Sequence, residues 1–219
     1  MSRRVIVWRH GRTAWNVERR VQGQTDIPLD EVGLQQAREG AARLASLAPH
    51  RIVSSDMSRA ADTAAVLGEL TGIAVEEDVR FRERSFGERE GLTLAESWQR
   101  FPEHMARWSD GGEPHIPGSE TTDEAANRFV EAVRDYIAEL ETDQTLVVVS
   151  HGGASRVGVC AFLGLPRETW ESFGGLNNCS WTVLEESGWP DASRWRLVEW
   201  NAGTLPEPVM SDDEPPAGD

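Results

Sequence analysis

Short apolar runs alternate along the chain with longer segments in which apolar residues recur every three to four positions. Residues 3–8 contain the run VIVW and residues 145–150 contain LVVV, and both are predicted β-strands. The second run is apolar on both faces, which is typical of a central strand. Residues 51–53 form a further short strand. Helical spacing covers residues 31–47, 58–70, 123–140 and 152–163. This alternation predicts an α/β fold.

Turn and capping signals define the ends of several of these elements. Gly72 is predicted to close the second helix, and Thr121 with Glu124 matches a capping box at the start of the third. Asp56 follows the strand of residues 51–53 and is interpreted as the N-cap of the next helix, with a carboxylate at the solvated surface. Residues 85–118 are irregular and rich in Trp and Pro, and they are predicted to form a short helical lid.

The predicted architecture is a three-layer α/β/α sandwich with a mostly parallel sheet, an antiparallel C-terminal edge hairpin and the lid. The hairpin pairs residues 180–186 with 194–200, where aromatic and β-branched residues suit a sheet. A chain of 219 residues can bury a sizeable core, and we assign a single domain to residues 1–203. Residues 204–219 are acidic and contain prolines, and they are predicted to be disordered.

Composition and charge exclude several classes of function. A net charge of −15 would repel a phosphate backbone, so nucleic acid is not expected as a partner. All 22 basic residues are arginine, and the absence of lysine excludes Schiff-base chemistry and the lysine of a P-loop.

No apolar run approaches the roughly 18 residues of a membrane span. The first run is also too short for a signal peptide, so a cytoplasmic location is predicted. Cys160 and Cys179 lack metal-ligand spacing and are interpreted as packing residues.

Two histidines follow two predicted strands in the same manner. His10 lies after residues 3–8 within Arg-His-Gly, and His151 lies after residues 145–150 within His-Gly-Gly. Ligands of open α/β sheets bind at the carboxyl ends of the strands, so both imidazoles are expected to face one cleft. A single histidine after a strand is more often structural than catalytic. The convergence of two such units with arginines nearby favours a phosphoryl-binding site.

Five linked motifs carry a family resemblance. They are Arg9-His10-Gly11 with Asn16, the stretch from Gln22-Gly23 to Leu29, Ser54-Ser55-Asp56 with Arg59, Arg82-Glu83, and Ser150-His151-Gly152-Gly153. In order and spacing they resemble the histidine phosphatase superfamily over nearly the whole chain. The resemblance implies a metal-independent phosphatase without a cofactor that acts on small phosphomonoesters through a phosphohistidine.

The resemblance also implies a role for each matched residue. His10 would attack phosphorus, Glu83 would act as general acid and base, and Arg9, Arg59 and His151 would surround the transferring group. Cationic neighbours should also lower the pKa of His10 and keep it neutral. The phosphate-binding set would comprise Arg9, Asn16, Gln22, Gly23, Arg59, His151 and Gly152. Glu88 is the alternative candidate for the general acid.

Several questions stay open at this point. The C-terminal stretch around Trp181 and Trp200 is similar to actinobacterial phosphatases of this family, which points to a phosphoglycerate or sugar phosphate, with glucosyl-3-phosphoglycerate as one candidate. Arg12 stands where many relatives carry Glu or Gln, and it would contact a substrate carboxylate or lie in solvent. A cofactor-dependent phosphoglycerate mutase and a non-catalytic phosphate-binding protein are the alternatives. An exposed hairpin edge favours a homodimer.

Overall fold

A computed structural model describes residues 2–187 and 195–203, and within them a six-stranded mixed sheet forms the centre of the fold. Its strands are β1 (Arg4–Arg9), β2 (Arg51–Ser54), β3 (Val75–Glu77), β4 (Thr145–Ser150), β5 (Trp181–Glu186) and β6 (Trp195–Ala202). The strand order is β3-β2-β4-β1-β5-β6. The first four strands are parallel, whereas β5 and β6 are antiparallel to their neighbours. The mostly parallel sheet and the C-terminal antiparallel pair are therefore confirmed.

Seven α-helices surround the sheet within the described residues. They are α1 (Ala14–Val17), α2 (Glu31–Ala45), α3 (Ser58–Thr71), α4 (Leu94–Arg100), α5 (Pro102–Ser109), α6 (Thr122–Ala138) and α7 (Gly152–Phe162). Short 3₁₀ helices occupy Val79–Phe81, Gly87–Arg89 and Arg167–Ser172. None of the helices in the described ranges is long and apolar enough to cross a membrane.

The central strands β1 and β4 bury both faces, which explains their continuous apolar sequences. Side chains on one face of the sheet pack against α6 and α7, and those on the other face pack against α2 and α3. In β1, for example, Val5 and Val7 belong to the first cluster while Ile6 and Trp8 belong to the second, as the twofold alternation of a strand requires. The three-layer α/β/α arrangement is thereby confirmed.

Most predicted helix ends agree with the structure within two residues. Gly72 closes α3 in the left-handed conformation with φ +73°, and Thr121 with Glu124 forms the capping box of α6. The cap predicted for α3 was wrong, because Met57 occupies the N-cap and Asp26 accepts the Ser58 N–H at 2.9 Å.

Asp56 is neither a helix cap nor a solvated surface group. Its carboxylate binds the Arg82 guanidinium, with the Nε–Oδ1 distance at 2.7 Å, and this pairing lowers the pKa of Asp56. A local sequence pattern does not reveal this partner, because the two residues are 26 positions apart in the chain.

The predicted lid and tail differ in how much of them the structure describes. Residues 85–118 contain α4 and α5 and are tied to the rest of the fold by β-bridges from Phe86 to Ser119 and from Thr93 to Arg20. Their role as a lid stays a prediction. The predicted tail of residues 204–219 lies outside the described residues, as do residues 188–194, which include the predicted hairpin position Arg194. Cys160 and Cys179 are buried free cysteines, as expected for packing residues.

Candidate active site

The ends of β1 and β4 bring the two histidines together. The strands are parallel neighbours in register, with Arg9 opposite Ser150, so the residues that follow lie side by side. The His10 N–H donates to the Ser150 carbonyl at 3.0 Å, and the ring centroids of His10 and His151 are 5.1 Å apart in an edge-on arrangement. The predicted convergence of both imidazoles is observed, at the carboxyl edge where α/β sheets bind ligands.

His10 is held in one neutral tautomer. Its Nδ1 lies 2.7 Å from the Gly11 carbonyl oxygen. A carbonyl only accepts, so Nδ1 carries the proton and Nε2 keeps its lone pair. Burial lowers the pKa of His10 well below its ordinary value, and the nearby charges of Arg59 and Arg9 lower it further. The ring is therefore neutral at physiological pH, with a lone pair on Nε2.

Two buried arginines flank this nitrogen base. Arg59 is the second residue of α3 and is fully buried, with its Nη2 bonded to the Gly23 carbonyl at 2.7 Å and its Nη1 to the Thr25 carbonyl at 2.9 Å. Arg9, at the end of β1, donates to the Leu176 carbonyl at 2.6 Å. These bonds fix both guanidinium planes against the backbone. Both arginines line one pocket with His10.

His151 lies behind the pocket and holds Arg59. Its Nδ1 accepts from Arg59 Nε at 3.2 Å, so its Nε2 carries the proton and donates to Ser55 Oγ at 2.9 Å. Burial and the Arg59 charge lower the pKa of His151 well below its ordinary value. In this arrangement His151 orients Arg59, which lines the pocket. Its direct contact with a phosphate stays a prediction.

Glu83 reaches the same pocket from the segment after β3. Its carboxylate accepts backbone N–H groups of Gly153 at 2.9 Å and Ala154 at 2.7 Å, in the first turn of α7, and the N–H of Arg84 at 2.8 Å. A Cβ on Gly153 would lie 2.9 Å from the Glu83 carboxylate, so glycine permits this approach. Glu88, the alternative acid, is an exposed partner of Arg100 and does not line the pocket.

The segment from Thr13 to the start of α2 supplies neutral groups. Thr13 Oγ1 donates to Gln22 Oε1 at 3.0 Å. Gln22 lines the pocket, and its Nε2 is the side-chain atom that can donate a hydrogen bond. Asn16 is buried and does not line the pocket. Its Oδ1 accepts from the Thr13 N–H, while its Nδ2 has no acceptor among the described residues. Donation from Asn16 to a phosphate oxygen stays a prediction.

Gly23 lies against Glu90, a contact that was not predicted from the sequence. Its φ is +54°, and a Cβ there would lie 2.2 Å from the Glu90 carboxylate. Glu90 accepts the N–H of Gln24 at 3.1 Å and the hydroxyl of Thr25 at 2.7 Å, so it holds the loop that in turn holds Arg59. Glu90 lies within a run of charged residues, which carries no signal of such a contact.

Arg12 does not join the pocket. Its Nε donates to the Asp30 carboxylate at 2.8 Å, where Asp30 also caps α2. Arg12 is therefore a partly buried ion-pair partner at a helix start and does not belong to the pocket lining.

The assembled pocket has a volume of about 440 Å³ including its mouth. It is lined by Arg9, His10, Val21, Gln22, Gly23, Arg59, Glu83, Phe86, Gly152 and Gly153. A neutral imidazole nitrogen, two fixed guanidinium groups and a carboxylate in one small cavity meet the needs of phosphoryl transfer, in which negative charge spreads over the equatorial oxygens. No cluster of three His, Cys, Asp or Glu suited to a metal ion occurs in residues 2–187 and 195–203.

The two neutral histidines give a first prediction, on stability. We expect the free energy of unfolding to fall as pH is lowered below about 6.5, by about 1.4 kcal/mol per pH unit for each histidine. In the unfolded chain both rings titrate near their ordinary pKa of 6.5, whereas in the folded state both pKa values lie well below it. The unfolded state therefore binds more protons in this range, and stability rises with pH.

Urea unfolding at pH 7.5, 6.5 and 5.5 measures this slope. His10→Ala should remove about half of it, and His115→Asn, at an exposed histidine, should leave it unchanged. A flat profile in the wild type would contradict the neutral buried pair.

Comparisons with known proteins agree with this chemistry. The model of the histidine phosphatase superfamily (branch 1) matches residues 5–203. Glucosyl-3-phosphoglycerate phosphatase of Mycobacterium tuberculosis is 39% identical over 212 residues, which cover 92% of this chain and 95% of that protein. A probable phosphoglycerate mutase of Yersinia pestis is 34% identical over 196 residues, covering 87% of this chain and 89% of that protein.

Similarity in three dimensions is equally extensive. The solved structure of a mycobacterial glucosyl-3-phosphoglycerate phosphatase complexed with VO3 matches with a TM-score of 0.83 at 40% identity, and the match covers 92% of this chain and all of that one. With the family match over residues 5–203 and the paired histidines at the strand ends, this chain belongs to the histidine phosphatase superfamily.

Proposed function

We propose that this phosphoric monoester hydrolase acts on small phosphomonoesters of the phosphoglycerate or sugar phosphate type, with glucosyl-3-phosphoglycerate as the first candidate, and that it does so through a phosphohistidine on His10. The observation that carries the proposal is the neutral His10 Nε2 in a pocket with two buried arginines and Glu83. The similar phosphatase of M. tuberculosis supports the substrate class.

In the first step, the lone pair of His10 Nε2 attacks phosphorus and the ester P–O bond breaks. Arg9 and Arg59 bind the phosphoryl oxygens, and guanidinium groups suit this role because they donate two parallel hydrogen bonds. Glu83 in its acid form gives its proton to the leaving oxygen. The product alcohol leaves, and a phosphohistidine with a carboxylate beside it remains.

In the second step, Glu83 acts in the opposite direction. Its carboxylate takes a proton from water, the water oxygen attacks phosphorus, and the P–N bond breaks to release inorganic phosphate. His10 regains its lone pair and Glu83 regains its proton. The three backbone N–H groups that hold Glu83 position the carboxylate for both steps.

A phosphoglycerate mutase is the second candidate, since a probable mutase is 34% identical to this chain. A mutase must keep water from its phosphoenzyme. Residues 85–118 supply only two short α-helices, α4 and α5, and the 3₁₀ helix Gly87–Arg89 as cover, which favours hydrolysis. A cytoplasmic location and a homodimer stay predictions from the sequence.

Phosphate release in excess EDTA tests the proposal. We expect the wild type to hydrolyse glucosyl-3-phosphoglycerate with a kcat/KM at least about tenfold above that for p-nitrophenyl phosphate, because remote parts of a true substrate contribute to transition-state binding. 3-Phosphoglycerate and common sugar phosphates complete the panel. Conversion of 3-phosphoglycerate to its 2-isomer with a bisphosphate primer, faster than phosphate release from any ester, would instead establish the mutase.

A further inference from the structure

A second, larger cavity lies beside the pocket that Arg9, His10 and Arg59 line, which is called the phosphate pocket below. Its volume is about 540 Å³, or about 1490 Å³ when its mouth is included, and the first value lies within the range of about 300–1,000 Å³ typical of sites for small ligands. It shares the lining residues Phe86 and Gly153 with the phosphate pocket, so the two cavities are neighbours. The larger cavity therefore offers space for the remaining atoms of a substrate whose phosphate lies at His10.

Three arginines line this cavity, in a chain whose net charge is −15. Arg84 is fixed by bonds from Nε to the Glu120 carbonyl and from Nη1 to Thr122 Oγ1, both at 2.8 Å. Arg89 is buried, and its Nε donates to Ser97 Oγ at 3.3 Å. The third is Arg156. Glu171 is the one carboxylate that the described residues contribute to the lining, so cations are still in excess, which favours a ligand that carries an anionic group besides its phosphate.

Arg156 is the arginine best placed for that group. It lies three positions after Gly153 on α7, and residues at this spacing share one face of a helix. Gly153 borders the phosphate pocket, and both Gly153 and Arg156 line the larger cavity. Arg156 therefore borders the larger cavity one helical turn after a residue of the phosphate pocket, and a guanidinium there suits the carboxylate of a phosphoglycerate.

Aromatic side chains also line the larger cavity. The Arg89 guanidinium lies 5.5 Å from the Trp108 ring centroid and 5.8 Å from that of Phe86, so the three side chains support one another. Phe173, Gly174 and Gly175 continue the lining. Flat aromatic surfaces with open space beside glycines suit a sugar ring.

We propose that this cavity determines specificity by binding the non-reacting half of the substrate, with Arg156 bonded to a carboxylate and Trp108 packed against a sugar ring. The inference rests on the proposed function for its substrate class. It assigns the carboxylate contact to Arg156, whereas the sequence had suggested Arg12.

Calorimetric titration with 3-phosphoglycerate and with inorganic phosphate tests the role of Arg156 without turnover. We expect Arg156→Gln to weaken 3-phosphoglycerate binding about 10- to 100-fold, the usual effect of losing a charged hydrogen-bond partner. Phosphate binding should change less than about threefold. Arg156→Lys keeps the charge and should give an intermediate loss. Arg134→Gln, at an exposed arginine of α6, is the matched control and should change neither affinity.

A second arm tests Trp108. Trp108→Leu should lower kcat/KM for glucosyl-3-phosphoglycerate at least about tenfold more than for 3-phosphoglycerate, and Arg107→Gln, at the exposed neighbour in α5, should not. Equal losses for phosphate and 3-phosphoglycerate in Arg156→Gln, or no loss for either, would overturn the assignment. The wild type could hydrolyse no ester while Arg156→Gln weakens 3-phosphoglycerate binding and leaves phosphate binding nearly unchanged. In that case the phosphatase proposal fails and the cavity assignment stands.

Discussion

His10→Ala is expected to lose at least about 1,000-fold in kcat on every substrate of the enzyme, because the variant has no nitrogen to form the phosphoenzyme. The structure indicates which atom would attack: Nδ1 is bonded to the Gly11 carbonyl, so Nε2 keeps its lone pair and is the proposed nucleophile. Arg9 and Arg59 remain in the variant and should still bind phosphate. Steady-state phosphate release and calorimetric phosphate binding measure the two effects separately.

Trapping of the phosphoenzyme gives a more direct test of the same residue. Phosphohistidine is stable to alkali and labile to acid, so rapid quenching into base during turnover should trap label in the wild type and none in His10→Ala. His115→Asn, which changes an exposed histidine, should behave like the wild type. Retention of most activity in His10→Ala would refute covalent catalysis by this residue.

The convergence of His10 and His151 could be predicted because it follows from strand geometry alone. Two buried strands that each end in a histidine bring their imidazoles to one edge if the strands are parallel, and β1 and β4 are parallel neighbours with Arg9 opposite Ser150. The site of Arg59 follows from equally local rules, since it lies in the first turn of α3. Regular elements therefore set the positions of the central residues.

The contacts that tune these residues could not be predicted, because they join side chains far apart in the sequence. Glu90 binds Gln24 from 66 positions away, and Ser55 binds His151 from 96 positions away. Arg12 pairs with Asp30 because the turn after α1 returns to the start of α2. No periodicity marks such partners, and each charged residue has many equally plausible ones in a chain with 37 acidic residues.

The first turn of α7 contacts both Glu83, the proposed acid and base, and the phosphate pocket. Gly153 and Ala154 donate their backbone N–H groups to Glu83, and Gly152 and Gly153 border the phosphate pocket. Backbone N–H groups at a helix start have no acceptor within the helix and favour negative charge, so this turn stabilises an anionic group that accepts from them. Arg156 follows one turn later on the same helix. A single rigid element thereby sets the distances between the acid, the phosphate and the proposed carboxylate contact.

Glu83→Gln is expected to lower kcat/KM about 100- to 10,000-fold for phosphoglycerate-type esters and less than about tenfold for p-nitrophenyl phosphate. An alkoxide is a poor leaving group and needs the proton of Glu83, whereas p-nitrophenolate leaves without one. The ratio kcat/KM depends only on steps up to phosphoenzyme formation. Loss of the base in the second step therefore does not affect the comparison of kcat/KM between the two esters.

The matched control for this variant is Glu88→Gln, which removes an exposed carboxylate five residues away and should leave both substrates unaffected. The amide introduced by Glu83→Gln would place an NH2 group against one backbone N–H of α7, so thermal melting must show that the variant is folded before its kinetics are compared. Equal losses of kcat/KM on both esters in a folded variant would mean that Glu83 does not protonate the leaving oxygen. A selective loss on the alkyl ester assigns that proton to Glu83, because no other carboxylate lines the phosphate pocket in the described residues.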